Sequence, residues 1–216
     1  MSPAEAPAEL AEEFDVSCET LERLTAHISL LRRWNPGLNL VSPASLPSVW
    51  QRHVADSLQL LPHAPDRIDR WLDLGAGAGF PGLPVAAVLA VRNPAAEVVL
   101  IESDHRKAAF LREAVRAMGL TANVLSGRIE SIEPIPCDVV SARALAPLPK
   151  LCSLAYRIAA PMRSGRRPVF LFPKGKALDS ELTAASATWH IQAERIASRT
   201  NTDAAILRII ELEPRK

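Results

Sequence analysis

Aromatic residues are scarce, at 5% of 216 positions with one tyrosine. Trp34, Trp50, Trp71 and Trp189 all fall in helix or strand patterns and are assigned to the core. That disfavours a single-strand nucleic-acid binder built on base–aromatic stacking. Cysteine is rarer still: Cys18, Cys137 and Cys152 are odd in number and widely spaced. The pattern argues against a disulfide framework or a cysteine-based zinc site and fits a reducing cytoplasm. Long apolar runs are missing. The longest, Leu83 to Val91, has nine residues and contains Pro84, far short of a membrane-spanning helix. The acidic N-terminus lacks the basic stretch and apolar core of a secretory signal. The expectation is a cytoplasmic chain with no membrane role. No charge sign dominates either, since the net is +1. Its distribution is uneven: residues 1–20 carry six acids and no Lys or Arg. A mildly basic body behind an acidic leader permits nucleic-acid binding without requiring it.

What is present is a globular composition, 48% hydrophobic and 23% charged, at a length that suits one compact unit. Residues 1–13 read as a frayed leader. Leu21, Leu24, Ile28 and Leu31 then form one apolar helical face, ended by Asn35-Pro36-Gly37. A second helix is expected over Leu46–Leu61, stopped by Pro62. Residues 1–62 are thus expected to form an N-terminal helical extension and residues 63–216 the main domain.

Beyond that point short β-branched runs alternate with helical patterns. Strands are expected over Arg70–Gly75, Val98–Glu102, Asn123–Gly127, Asp138–Arg143, Pro168–Pro173, Trp189–Ile196 and Ala205–Leu212. Helices are expected over Pro84–Val91, Arg106–Met118, Leu151–Ala160 and Ala177–Ala187. This alternation predicts an α/β fold, a mostly parallel seven-stranded sheet with helices on both faces. No helical pattern separates the last two runs, so they are expected to pair antiparallel.

The sharpest local signal is Asp73-Leu74-Gly75-Ala76-Gly77-Ala78-Gly79-Phe80-Pro81-Gly82, where a strand meets alternating glycines before a helix. Such a loop lets backbone approach a ligand closely, and the helix offers free N–H groups. Gly77, Gly79 and Gly82 satisfy the dinucleotide spacing G-x-G-x-x-G. The strand ends at Gly75, however, and in that register Phe80 stands where the third glycine belongs. The spelling resembles motif I of the Rossmann-like class I methyltransferases that bind S-adenosylmethionine (SAM). That resemblance implies that Asp73 orients the loop or the methionine end of the cofactor. Glu102, at the tip of the next strand, is placed to accept ribose hydroxyls, or else to cap the helix before Arg106. Ile129 and Glu130, after the third strand, fall beside the adenine.

Acceptor chemistry narrows by elimination. The Asn/Asp-Pro-Pro-aromatic motif of amino methylation is missing where the fourth strand ends, at Ser141-Ala142-Arg143-Ala144. Cys137 stands at the wrong end of its strand for a pyrimidine-C5 nucleophile, and Cys152 lies within a helix. No His/Asp/Glu cluster has metal-ligand spacing. An acceptor with a free lone pair and no proton to lose remains, and guanine N7 is such an atom.

Over residues 20–212 the chain resembles the bacterial 16S ribosomal RNA guanine-N7 methyltransferases, also called glucose-inhibited division protein B. The resemblance rests on Trp34-Asn35 with Asn39-Leu40-Val41, Arg52-His53-Val54-Ala55-Asp56-Ser57-Leu58, and the loop from Asp73 to Gly82. It continues through Glu102-Ser103, Arg106-Lys107, Phe110-Leu111, Ser141-Ala142-Arg143-Ala144 and Lys174-Gly175. It implies SAM-dependent methylation of a guanine in the 530 loop of 16S rRNA, on the small ribosomal subunit. Cofactor contacts are expected from Asp73, Gly75, Gly77, Gly79, Phe80, Glu102, Ile129, Glu130 and Arg143. Arg143 and Lys174 are the catalytic candidates, and Arg52, His53, Arg128 and Lys174 the RNA-binding ones. No metal is implied.

Two departures stand out. Arg106-Lys107 replaces the commoner Lys-Arg order, and Ala204-Ala205 stand where Arg or His often precedes the last strand. Arg199 is the residue that could replace that charge. Arg143 is expected to hold the methionine carboxylate, guanine O6 or a phosphate, since a bidentate grip on O6 and N7 would block the attacking atom. A surface ion pair is its alternative role. For Arg52, His53 and Asp56, sharing one helix face, RNA contact and helix docking stand equal. A small-molecule methyltransferase and a non-catalytic nucleotide-binding protein are the rival functions. No long apolar stripe calls for a second copy, so a monomer is expected.

Overall fold

The structure, a computed structural model, describes residues 8–215. The expected frayed leader lies outside the described residues over positions 1–7. From there α1 (Ala8–Phe14) is helical, and Leu10 is buried in the core. Helix α2 (Cys18–Leu38) starts at Ser17, whose hydroxyl accepts the Thr20 N–H. It runs past Pro36, which was expected to end it, and closes at Asn39 in the left-handed region with φ 47°. The helix expected over Leu46–Leu61 is instead broken into short pieces. A 3-10 turn at Pro43–Ser45 precedes it, and a π-helical turn at Trp50–Ala55, one α turn α3 (Asp56–Leu58) and a 3-10 turn at Leu61–His63 follow.

The strand and helix series follows as expected, with shifts of a few residues at the ends: β1 (Arg70–Leu74), α4 (Gly82–Arg92), β2 (Glu97–Glu102), α5 (His105–Ala117) and β3 (Asn123–Ser126). Then come β4 (Ile135–Pro136), β5 (Val139–Ala142), α6 (Leu148–Ile158), β6 (Ala159–Ala160), β7 (Val169–Lys174), α7 (Leu178–Ser186), β8 (Trp189–Ala197) and β9 (Ala205–Pro214). The main sheet has the order β3-β2-β1-β5-β7-β9-β8. Its first five strands are parallel, and β9 inserts antiparallel between β7 and β8. The β4–β6 pair, two residues each, forms a separate sheet that no sequence pattern announced.

Period-two alternation splits the core into two faces. Trp71, Leu100, Val139 and Leu171 point to the face covered by α2, α4 and α5. Leu72, Leu74, Ile101, Val140 and Phe172 point to the face covered by α6 and α7. Leu24, Ile28 and Leu31 of α2 pack in the same cluster as Trp71, Leu83 and Phe110. Sequence-early helix and sheet therefore share one core. Strands β1, β2, β5 and β7 turn at positions 75, 103, 143 and 175, all on one edge of the sheet. That edge is where an open α/β sheet places ligands.

Candidate functional site

At this edge a buried polar network sets the glycine loop. Asp73 faces α4 and is wholly buried. Its Oδ2 accepts the Gly82 N–H at 3.0 Å, and its Oδ1 accepts the Ser141 hydroxyl at 2.8 Å. Ser141 Oγ in turn accepts the Trp71 indole N–H at 2.8 Å. Burial pushes the Asp73 carboxyl up to about 7, opposed by the hydrogen bonds from Ser141 and Gly82. Gly82 is required by close approach, because a Cβ there would run into Leu100 and the Asp73 carboxylate. Asp73 thus orients the loop and has no surface for a ligand.

Glu102 is buried at the tip of β2. Its Oε2 accepts the Gly77 N–H at 2.9 Å and its Oε1 the Asp104 N–H at 2.8 Å. It does not cap α5. Asp104 does, accepting from Arg106 and Lys107 N–H. Beside it lies a cleft of about 130 Å³ walled by Gly75, Ser103, Gly127, Ile129, Leu145 and Leu154. Gly75 adopts φ +64°, and a Cβ on it would strike the Leu145 side chain. Leu145 is brought there by Ala144, a non-glycine residue at φ +54°. A carboxylate with lone pairs to spare, a bare glycine edge and apolar walls suit a nucleoside. The residues present fit an adenosyl group.

Arg128 and Glu130 also border this cleft, where they pair with each other at 3.3 Å on the exposed side. Ile129 is buried between them. The Glu130 carbonyl is taken by Arg157, which leaves it no free lone pair toward the cleft on that side. Gly79 and Phe80 are buried behind the loop, so only Gly75 and Gly77 of the loop reach its open side.

A second, larger cavity of about 990 Å³ adjoins the first, sharing Leu145 and Ala146 as its wall. It brings together Arg52, His53 and Asp56 of the helical strap with Arg143 beyond β5 and Lys174 at the end of β7. Arg143 Nη1 donates to Asp56 Oδ2 at 3.1 Å and to the Arg52 carbonyl at 3.2 Å, and its guanidinium lies 5.3 Å from the Phe80 ring centre. The Asp56 Oδ1 accepts from Thr200 at 2.9 Å and from Gln59 at 2.8 Å. Lys174 Nζ donates to Glu181 at 2.6 Å and to the Ala146 carbonyl at 3.0 Å. Arg143 is an ion pair and a cavity wall at once, so its two expected roles are not exclusive.

His53 stacks on Phe80 with ring centres 5.1 Å apart. Ser45 Oγ donates to the Ser42 carbonyl, so the 2.9 Å bond between Ser45 and His53 is donated by His53 Nε2. Burial, with Arg143 and Arg52 nearby, lowers His53 to about 4. It is neutral near pH 7. Arg199 turns away from the cavity, pairing with Glu13 at 3.1 Å and lying over the Phe14 ring. It does not supply the charge missing before the last strand. Cys137 and Cys152 are buried, which pushes both thiols up to about 12.

The family model of rRNA small subunit methyltransferase G matches residues 20–207. The chain belongs to that family. A ribosomal RNA small subunit methyltransferase G from Rhodospirillum centenum is 50% identical over 202 residues, covering 94% of this chain and 89% of the relative. One from Cereibacter sphaeroides is 46% identical, covering 91% and 93%. Among solved structures, a TehB-like SAM-dependent methyltransferase from Corynebacterium glutamicum aligns with a TM-score of 0.57 at 12% identity, covering 86% of this chain and 97% of that one. An O-methyltransferase from Bacillus cereus in complex with SAH aligns at 0.56 and 16%, covering 94% and 96%. These likenesses show the class I SAM methyltransferase fold. As a member of the rRNA small subunit methyltransferase G family, the chain is a SAM-dependent rRNA methyltransferase, and SAM is its methyl donor.

Within this family member, sequence reasoning missed the residues that join the parts. Gln59 is buried and bonds Asp56, Ser198 and the Arg199 N–H. His27, on α2, bonds the Ala78 carbonyl. Only His27 left a trace in the sequence, as a polar residue inside the apolar stripe Leu24, Ile28, Leu31. Among the described residues no three His, Cys, Asp or Glu side chains could hold a metal ion. No helix among them is long and apolar enough to cross a membrane.

Proposed function

We propose that this chain methylates N7 of a guanine in the 530 loop of 16S rRNA, on the small ribosomal subunit, acting as a cytoplasmic monomer. The observation that carries the reading is the chemistry of the larger cavity. Each carboxylate on its wall, Asp56 and Glu181, is already paired with a cation. Its histidine is held neutral and weakly basic by burial. Nothing there is poised to remove a proton, and guanine N7 has none to lose. When bound, SAM supplies a methyl group already activated on a positively charged sulfur, so positioning carries the acceleration.

The roles follow from placement. Gly75 and Gly77 offer a backbone edge to the cofactor, Glu102 accepts from its ribose, and Ile129 packs beside its adenine. Gly79 and Phe80 act from behind: Phe80 supports His53 and Arg143. Arg143 lines the larger cavity, two residues before the Leu145 wall shared with the cofactor cleft, where it can hold guanine O6, a phosphate or the methionine carboxylate. Arg52, which has no acid partner among the described residues, and Arg128 offer phosphate contacts. Lys174 is spent largely on Glu181 and Ala146, so it shapes the cavity more than it grips RNA.

The test is transfer of labelled methyl from SAM to 16S rRNA or small subunits taken from cells lacking the protein, mapped by N7-specific strand cleavage. One new cleavage in the 530 loop is expected. Label at another nucleotide overturns the target, and no label on RNA or subunits overturns the reading. In the same assay Arg143→Ala is expected to lower kcat/KM by about 100-fold. Undiminished transfer and SAM affinity would remove Arg143 from the site.

A further inference from the structure

The glycine loop is held from below by acids and from the side by one histidine. The Gly77 and Gly82 N–H groups are bound by Glu102 and Asp73. The Ala76 N–H reaches the Ile101 carbonyl at 3.0 Å. These bonds fix donors. Among the described residues a single side chain fixes a carbonyl of the loop, that of His27, whose Nε2 lies 2.8 Å from Ala78 O.

A carbonyl can only accept, so Nε2 carries the proton. The other ring nitrogen, Nδ1, is buried with no partner among the described residues. The ring is wholly buried against Phe80 and Phe110, at centroid distances of 4.8 and 6.1 Å. An orphaned nitrogen in an apolar pocket is destabilising. A phenylalanine would fill the same stripe of α2 without that cost. Packing therefore does not account for an imidazole here, and the bond to Ala78 does.

The peptide unit concerned links Ala78 to Gly79. Its carbonyl is held by His27 and its N–H by the Ala76 carbonyl. Gly79 sits at φ +87°. Without a Cβ, a glycine on one side of a peptide unit tolerates either orientation of that unit. Rotating it would release both bonds and redirect the carbonyl.

We infer that His27 is a positioning residue for SAM binding: together with the Ala76 carbonyl on the N–H side, it locks the Ala78–Gly79 peptide unit of the glycine loop through the Ala78 carbonyl. A helix outside the βα unit thereby preorganises the cofactor edge, so that binding need not order the loop. The inference rests on SAM binding at this loop and needs nothing from the RNA substrate.

The test compares His27→Phe with His27→Gln. Phenylalanine keeps the ring contacts and removes the donor. Glutamine presents an amide N–H at similar reach. Affinity for S-adenosylhomocysteine is measured by calorimetry, and KM for SAM and kcat with small subunits in excess. His27→Phe is expected to raise the dissociation constant and KM about ten-fold, equivalent to ~1.4 kcal/mol, while kcat at saturating SAM changes less than about two-fold. His27→Gln is expected to restore most of the affinity. If Phe binds as tightly as wild type, or if Gln and Phe are equally impaired in step with a lowered melting temperature, the inference is overturned. Should His27→Phe not fold, His27→Asn against His27→Gln gives the same contrast, a donor out of reach against one in reach. Failure of the wild-type protein to bind would instead overturn SAM binding at the loop, and the inference with it.

Discussion

A single buried carboxylate at Asp73 links the chemistry of the loop to the stability of the protein. Its pKa rises from 3.8 to about 7 on folding, so the native state holds a proton that the unfolded chain has lost. Through Asp73, stability falls as pH rises from about 4 to about 7. His27 and His53 act in the opposite sense. Burial lowers both from 6.5 to about 4, so acidification favours the unfolded chain, which protonates first. Through them, stability falls as pH drops from about 6.5 toward 4. In wild type the two trends oppose each other. Asp73→Asn keeps an acceptor for Gly82 and a partner for Ser141 while removing the titration. Its melting temperature is expected to climb more steeply between pH 4 and 7 than that of wild type, and His27→Phe should flatten the same profile. Parallel melting curves across that range for all three proteins would contradict the assignment.

At the scale of elements, the end of α2 and the strap that follows shape the acceptor cavity. Pro36 removes a helical N–H, yet the helix continues to Leu38 because its end is held from outside. Arg106 of α5 donates to the Gly37 carbonyl at 3.0 Å, and the Asn39 N–H then closes the last turn on the Asn35 carbonyl at 2.9 Å. Asn35 itself is buried, and its Oδ1 accepts the Val41 N–H at 2.9 Å. That bond launches the strap Leu40–Ser45, which forms one cavity wall. Asn35→Ala is expected to cost about 1–3 kcal/mol by orphaning a buried N–H, seen as a drop of roughly 2–12 °C in melting temperature. The KM for small subunits should rise as well. A variant with wild-type melting and KM would show that the strap is held by packing alone. The π turn at Trp50–Ala55 continues the strap, with His53 against Phe80 and Asp56 against Arg143. Extra residues in a helical turn are frequent where side chains serve a site.

Across the whole molecule, the cavity closes only because distant segments meet. The loop between β8 and β9 reaches back to Gln59, which bonds Ser198, Arg199 N–H and Asp56 together. Thr200 from the same loop bonds Asp56, the partner of Arg143. One face of the acceptor cavity is therefore built from residues some 140 positions apart in sequence. Gln59→Ala is expected to free that loop. Methyl transfer should fall with a several-fold higher KM for small subunits, while SAM affinity stays within about two-fold, because the cofactor cleft shares no residue with this tether. Equal loss of SAM binding would mean that the tether supports the sheet edge as a whole. α1 joins the same assembly, with Arg199 on Glu13 and Arg92 on the Phe14 carbonyl.

The order of strands and helices, the antiparallel final pair and the glycine loop were legible in the sequence because each rests on local periodicity or on a short run of residues with one conformational use. The residues Arg52, His53, Asp56, Arg143 and Lys174 were legible by type and spacing. Their partners were not: that Arg143 is held by Asp56, that Lys174 is engaged by Glu181, and that Arg199 turns to the N-terminal helix depend on contacts between segments far apart in the chain. The single helix expected over Leu46–Leu61 fails for the same reason, since contacts with Phe80, Arg143 and the β8–β9 loop override its helical periodicity. Hydrophobic pattern and turn chemistry act within a few residues and so specify the elements and the sheet. Burial and hydrogen bonds between distant segments act across the fold, and they decide which side chains face the cavity, which ionise, and which hold the loop still.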